Sequence, residues 1–126
     1  MRRQARKDLI AFANFTLPNY IAADHHHKIA EALERVVEGE CKRLMIFMPP
    51  RHGKSELASK RFPAWYIGRY PDREIICASY GQELANEFGR NVRNTIDSQE
   101  FRCVFGNVEL APDSSAANRW HTSAGG

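Results

Sequence analysis

Gly53, Lys54 and Ser55 stand in a row, and the apolar run Leu44-Met45-Ile46-Phe47-Met48 ends in Pro49-Pro50 shortly before them. A glycine, a lysine and a hydroxyl in that order suit a grip on a polyphosphate. A strand ahead of such a turn positions it, and the turn aims backbone N–H groups at one spot. Lys54 then reaches the β- and γ-phosphates, and the Ser55 hydroxyl ligates Mg²⁺. The full loop pattern begins with a glycine five residues before Gly53, where this chain has Met48. Gly53-Lys54-Ser55 is therefore half of the motif. The competing reading is a strand-to-helix turn in which Lys54 and Ser55 only open a helix.

Composition places few limits on this chemistry. The chain has 126 residues, 43% hydrophobic and 26% charged, which suits at most one globular domain. A net charge of +3 permits an anionic partner without requiring one. Cys41, Cys77 and Cys103 are widely spaced and form no CxxC pair, so they read as reduced thiols in a cytosolic setting. No apolar run approaches the length of a membrane span. His25, His26 and His27 are adjacent, so on a helix they point three ways. Helical metal sites use i, i+4 spacing, and the bland reading is one packed and two exposed imidazoles, although one of them could contact an adenine.

The elements that must position Lys54 and Ser55 follow from periodicity. Residues 2–13 suggest a short helix, basic first and then apolar, broken around Pro18. Asp24 is a candidate cap for a helix over 25–38, with Ile29, Leu33, Val36 and Val37 at helical spacing and Gly39 as its stop. Arg43 to Met48 is expected to be a central parallel strand, apolar on both faces. A helix from Lys54 to about Tyr66 carries Leu57, Ala58, Phe62 and Trp65, and Pro63 predicts a kink or break near Arg61-Phe62. Ile75 to Tyr80 is expected to be a second buried strand, completing a βαβ unit. A further helix spans about 82–97, with Leu84, Phe88, Val92 and Ile96 at i+4 spacing. Beyond Ser98 the pattern suggests a short helix at Phe101–Phe105 and short strands near 107–110 and 118–122.

A hydrolysing site needs an acid at the end of a later apolar strand to hold Mg²⁺, and a carboxylate to orient the attacking water. No run of four apolar residues followed by Asp or Glu occurs after residue 80. Two buried strands are also few for a parallel sheet with covered faces. Both features suggest the N-terminal portion of a larger ATPase, cut near Gly125-Gly126.

Nearly the whole chain resembles the N-terminal part of the ATPase domain of tailed-phage terminase large subunits. The likeness runs through His26-His27, Pro49-Pro50-Arg51-His52-Gly53-Lys54-Ser55-Glu56, Phe62-Pro63-Ala64-Trp65 and Pro71-Asp72. It continues in Ala78-Ser79-Tyr80, Leu84-Ala85, Phe88-Gly89-Arg90, Val92-Arg93, and Trp120 with Gly125-Gly126. Terminases of this type also lack the first loop glycine. The resemblance implies an α/β fold: an additional-strand P-loop NTPase, three-layered α/β/α, of which this is the N-terminal portion with an incomplete sheet. It divides the chain into an N-terminal segment, 1–24, and the start of the P-loop core, 25–126, truncated before Walker B. The cofactors it implies are ATP and Mg²⁺. Arg51, His52, Gly53, Lys54, Ser55 and Glu56 would hold the nucleotide, and Ser55 would ligate the metal. Lys54, and more weakly Arg51, would stabilise charge during transfer. Ser79-Tyr80 would face DNA or relay nucleotide state, against a packed tyrosine as the alternative. Implied partners are double-stranded phage DNA, the portal protein and the small terminase subunit, in a ring motor working in the host cytoplasm at the prohead. The chain alone is expected to lack turnover. The alternatives are a prophage remnant or non-catalytic binding fragment, or another P-loop ATPase such as a helicase.

Overall fold

The computed structural model describes residues 2–49, 54–112, 116 and 118–126. Among these residues the protein is helical, with no strand and one isolated antiparallel bridge, Leu110 to Thr122. The α/β P-loop NTPase fold that the resemblance implies, with its three-layered α/β/α sheet, is therefore not what the described residues form, and neither is the βαβ unit expected from the two apolar runs.

Local signals account for the helices. Helix α1, Arg2–Lys7, and helix α2, Leu9–Thr16, are separate because Asp8 is extended and caps α2, its carboxylate accepting from the Ala11 amide at 3.1 Å. Helix α3, Asp24–Val37, has Ala23 as its cap residue, so Asp24 lies in the first turn and does not cap. Gly39, at φ +85, ends this helix in the left-handed region, and the Glu40 amide returns to the Arg35 carbonyl at 3.0 Å.

A π-helical turn, Glu56–Arg61, runs directly into α4, Phe62–Arg69. The change of register falls at Arg61-Phe62, where the sequence predicts a kink. Pro63 has no N–H for the Ser59 carbonyl, and in an α-helix its ring would strike that carbonyl. The wider turn avoids the clash, and the Phe62 amide bonds Leu57 five residues back. Helix α5, Gln82–Ile96, and helix α6, Gln99–Val104, complete the set. Ser98 caps α6 by accepting from the Phe101 amide at 3.2 Å.

These helices bury one core. Leu9, Phe12, Leu57, Trp65, Ile96, Phe101 and Val104 are its largest fully buried side chains. Trp65 satisfies its indole N–H on the Ala5 carbonyl, which ties α4 to α1. Phe12 meets the Phe101 ring edge-on at 6.1 Å.

The two expected strands are irregular chain against this helical layer. Ile46, Met48 and Ile75 pack partly against the core. Met45 is 81% exposed, Phe47 87%, Ile76 92% and Tyr80 99%. Exposure alternates as in a strand from Met45 to Met48, whereas every residue from Ile76 to Tyr80 is exposed, and neither run takes part in a ladder among the described residues. A parallel strand is stable only when a neighbour takes its N–H and C=O groups and both faces are covered. Here the first run has one face partly covered and the second little more than Ile75.

Gly68 shows how closely the helices approach. A Cβ there would overlap the Phe105 ring. Gly68→Ala should therefore destabilise the fold by about 2 kcal/mol through overpacking, measured as a lower denaturation midpoint in urea.

Candidate functional site

Lys54 and Ser55 form the first described helical residues after the proline pair, and the helical run continues through the π turn into α4. The first amides of such a run have no acceptor within the helix, and together with the helix dipole they favour an anion. Lys54 is half-buried and Ser55 is exposed. Neither side chain is committed to an ion pair or hydrogen bond among the described residues. Pro50, Arg51, His52 and Gly53 lie outside the described residues.

Glu56 faces another task. Its carboxylate accepts from the Arg61 Nε at 3.1 Å and pairs with the Lys60 ammonium at 3.4 Å. It is thus bound to its own helix. Lys60 is the ordinary i+4 partner, whereas Arg61 is at i+5. On an α-helix five residues leave two side chains about 140° apart, but a π turn closes after five, so residue 61 lies beneath residue 56.

Arg61 is 5% exposed, and each end of its guanidinium is held. Nη1 donates to Thr16 Oγ1 at 3.1 Å, on α2, and Nη2 to Asn91 Oδ1 at 3.4 Å, on α5. Thr16 spends its own proton on the Phe12 carbonyl at 2.8 Å, so towards Arg61 it acts as acceptor. These contacts were not visible in the sequence. Partners 45 and 30 residues away carry no local signal, and the i+5 pair has the wrong spacing for an α-helix. The one usable hint was Pro63.

Tyr20 completes the polar surroundings of Glu56. Burial, and secondly the Glu56 charge, raise its phenol above the usual tyrosine range. Its hydroxyl is buried with no hydrogen-bond partner among the described residues. The Tyr20 ring stands 5.8 Å from His26. His26 is the packed member of the histidine run; its Nδ1 accepts from the Ala23 amide at 2.9 Å. No group of three His, Cys, Asp or Glu side chains among the described residues is placed to hold a metal ion. Ser55 offers one exposed hydroxyl, which fits an Mg²⁺ carried in on phosphates with most of its water retained. Glu56, the nearest carboxylate in sequence, is already engaged by two cations.

Elsewhere, a groove of about 660 Å³ lies between α4, α5 and the 74–79 segment, lined in part by Ile67, Ile75, Ala85, Val92 and Trp120. Lys54, Ser55 and Glu56 are not among its lining residues. Tyr80, expected either to face DNA or to pack, is almost fully exposed, which removes the packed alternative. No described helix is long and apolar enough to cross a membrane. Comparison of the chain with protein-family models, curated proteins and solved structures finds no match in any of the three.

Tyr20→Phe removes a buried hydroxyl that has no partner among the described residues, and should raise stability by about 1 kcal/mol at neutral pH. The folded phenol is held above its unfolded value. Wild-type stability is therefore complete below the unfolded pKa of about 10 and falls as pH rises from there through the folded value. The gap between Tyr20→Phe and wild type should widen across that alkaline window in urea titrations; a constant gap would contradict it.

Proposed function

We propose that this chain is an ATP-binding segment of a phage DNA-packaging motor of the terminase large-subunit type. The observation that carries the reading is that Lys54 and Ser55, which follow Gly53 in the sequence, are helical at the head of the described run into α4, with the Lys54 ammonium and Ser55 hydroxyl uncommitted among the described residues. It does not depend on a sheet. The anion chemistry of a helix opening and a cation on its first turn supports polyphosphate binding.

In this reading the opening amides and Lys54 neutralise the β- and γ-phosphates. Ser55 would offer its hydroxyl to an Mg²⁺ bound with the nucleotide, and the metal would supply positive charge against the phosphates. Arg51 and His52, which lie outside the described residues, are proposed to contact the nucleotide as well. Glu56 acts indirectly, because its carboxylate is tied to Lys60 and Arg61. Double-stranded DNA, the portal protein and the small terminase subunit are the partners proposed for the motor, a ring assembled at the prohead.

Calorimetric titration of Mg·ATP into the chain should show saturable binding, weakened at least about a hundredfold in Lys54→Ala as a charge-assisted contact is lost. Equal affinity in the variant would remove the phosphate assignment. Turnover by the chain alone should stay at background, since no run of four apolar residues after residue 80 ends in Asp or Glu to supply the acidic half of a hydrolysing site. Lys54-dependent phosphate release would show that such a group exists.

A further inference from the structure

We infer that Arg61 is a positioning residue for the phosphate-binding turn, a role that rests on the nucleotide reading above. Three separate guanidinium nitrogens reach three elements: Nε to Glu56 on the π turn, Nη1 to Thr16 on α2, and Nη2 to Asn91 on α5. Glu56 is next to Ser55 in the chain. Its direction therefore fixes the rotation of the first turn, and with it the directions of Ser55 and Lys54. Arg61 fixes Glu56, and is itself held by two helices that contain none of the residues proposed to bind nucleotide.

The burial of Arg61 strengthens this coupling. Its side chain is 6% exposed, against 28% for Glu56. A buried guanidinium must keep its partners, because an unpaired charge in the interior is costly. The turn cannot rotate about the helix axis without breaking the Nε contact or dragging the guanidinium off Thr16 and Asn91. Lys60 cannot substitute, because it pairs with Glu56 alone and anchors to no other element among the described residues. A lysine at position 61 would keep the charge but present one ammonium in place of a planar fork, so it cannot reach three directions at once.

The π register makes the clamp possible and Pro63 makes the π register necessary. The same proline that interrupts the helix thus sets the anchor for the turn ahead of it. Arg61 touches neither Lys54 nor Ser55 and acts through Glu56 alone.

The test uses the whole chain as wild type, Arg61→Lys and Thr16→Val, with helicity checked by circular dichroism. Thr16→Val removes one anchor at nearly constant shape, and it decides the matter if Arg61→Lys does not fold. Three readouts are taken: Mg·ATP affinity, hydrogen exchange at the Phe62 amide that closes the π turn on Leu57, and the Arg61 Nε–H resonance. Folded variants should bind Mg·ATP about tenfold more weakly and exchange faster at Phe62, with α3 unchanged. In wild type the Nε–H resonance should shift on saturation, and in Lys54→Ala it should not. Wild-type affinity and exchange in folded variants would overturn the role of Arg61. If wild type binds no Mg·ATP, the nucleotide reading fails by itself. The exchange readout then still decides: faster exchange confined to the π turn supports the clamp, and unchanged exchange overturns it.

Discussion

One missing N–H group shapes the helix that carries Lys54 and Ser55. Pro63 cannot donate to Ser59, and its ring would collide with that carbonyl in an α-helix. The chain widens by one residue before it, and the Phe62 amide bonds Leu57. That extra residue per turn brings Arg61 beneath Glu56, where the two meet at 3.1 Å. From there the guanidinium reaches α2 and α5. A backbone constraint thus becomes a buried polar junction between three elements. Arg61 is buried there, while the Glu56 side chain keeps 28% of its surface exposed.

The two apolar runs show the opposite kind of dependence. A helix closes its hydrogen bonds within four or five residues, so it can be read from a local pattern and its end signals. The helices at Asp24–Val37 and Gln82–Ile96 begin and end within a residue or two of where apolar spacing and Gly39 or Gly81 put them. A strand closes its bonds on another strand, and its pattern states only what surroundings it needs. Leu44–Met48 and Ile75–Tyr80 have the composition of strands covered on both faces. In this fold Ile46, Met48 and Ile75 pack partly against the helices, while Met45, Phe47 and the whole stretch from Ile76 to Tyr80 are left to solvent. No ladder forms among the described residues, and the α/β expectation fails at that step.

The site divides along the same line. Lys54 and Ser55 stood out as candidates because glycine, lysine and hydroxyl lie together, and both are helical directly ahead of the π turn. Glu56 was legible as a neighbour of the motif, but not in its task, since its carboxylate turns back to Lys60 and Arg61. That one of the three histidines would pack was expected, but not which; it is His26, with His25 half-buried beside it, and its contact with the Ala23 amide depends on how α3 begins. Tyr20, with its buried hydroxyl beside the Glu56 charge, carried no sequence signal.

The sequence by itself determined where the chain is helical, where Gly39 and Pro63 interrupt it, and that a cation and a hydroxyl stand together ahead of a helix. Each of these is settled by sterics or hydrogen bonds within a few residues. Only the tertiary structure decided that the apolar runs stay unpaired, that Arg61 is buried, and that its partners are Thr16 and Asn91. Those outcomes depend on which surfaces find cover and which polar groups meet across long stretches of chain, and local spacing does not encode them.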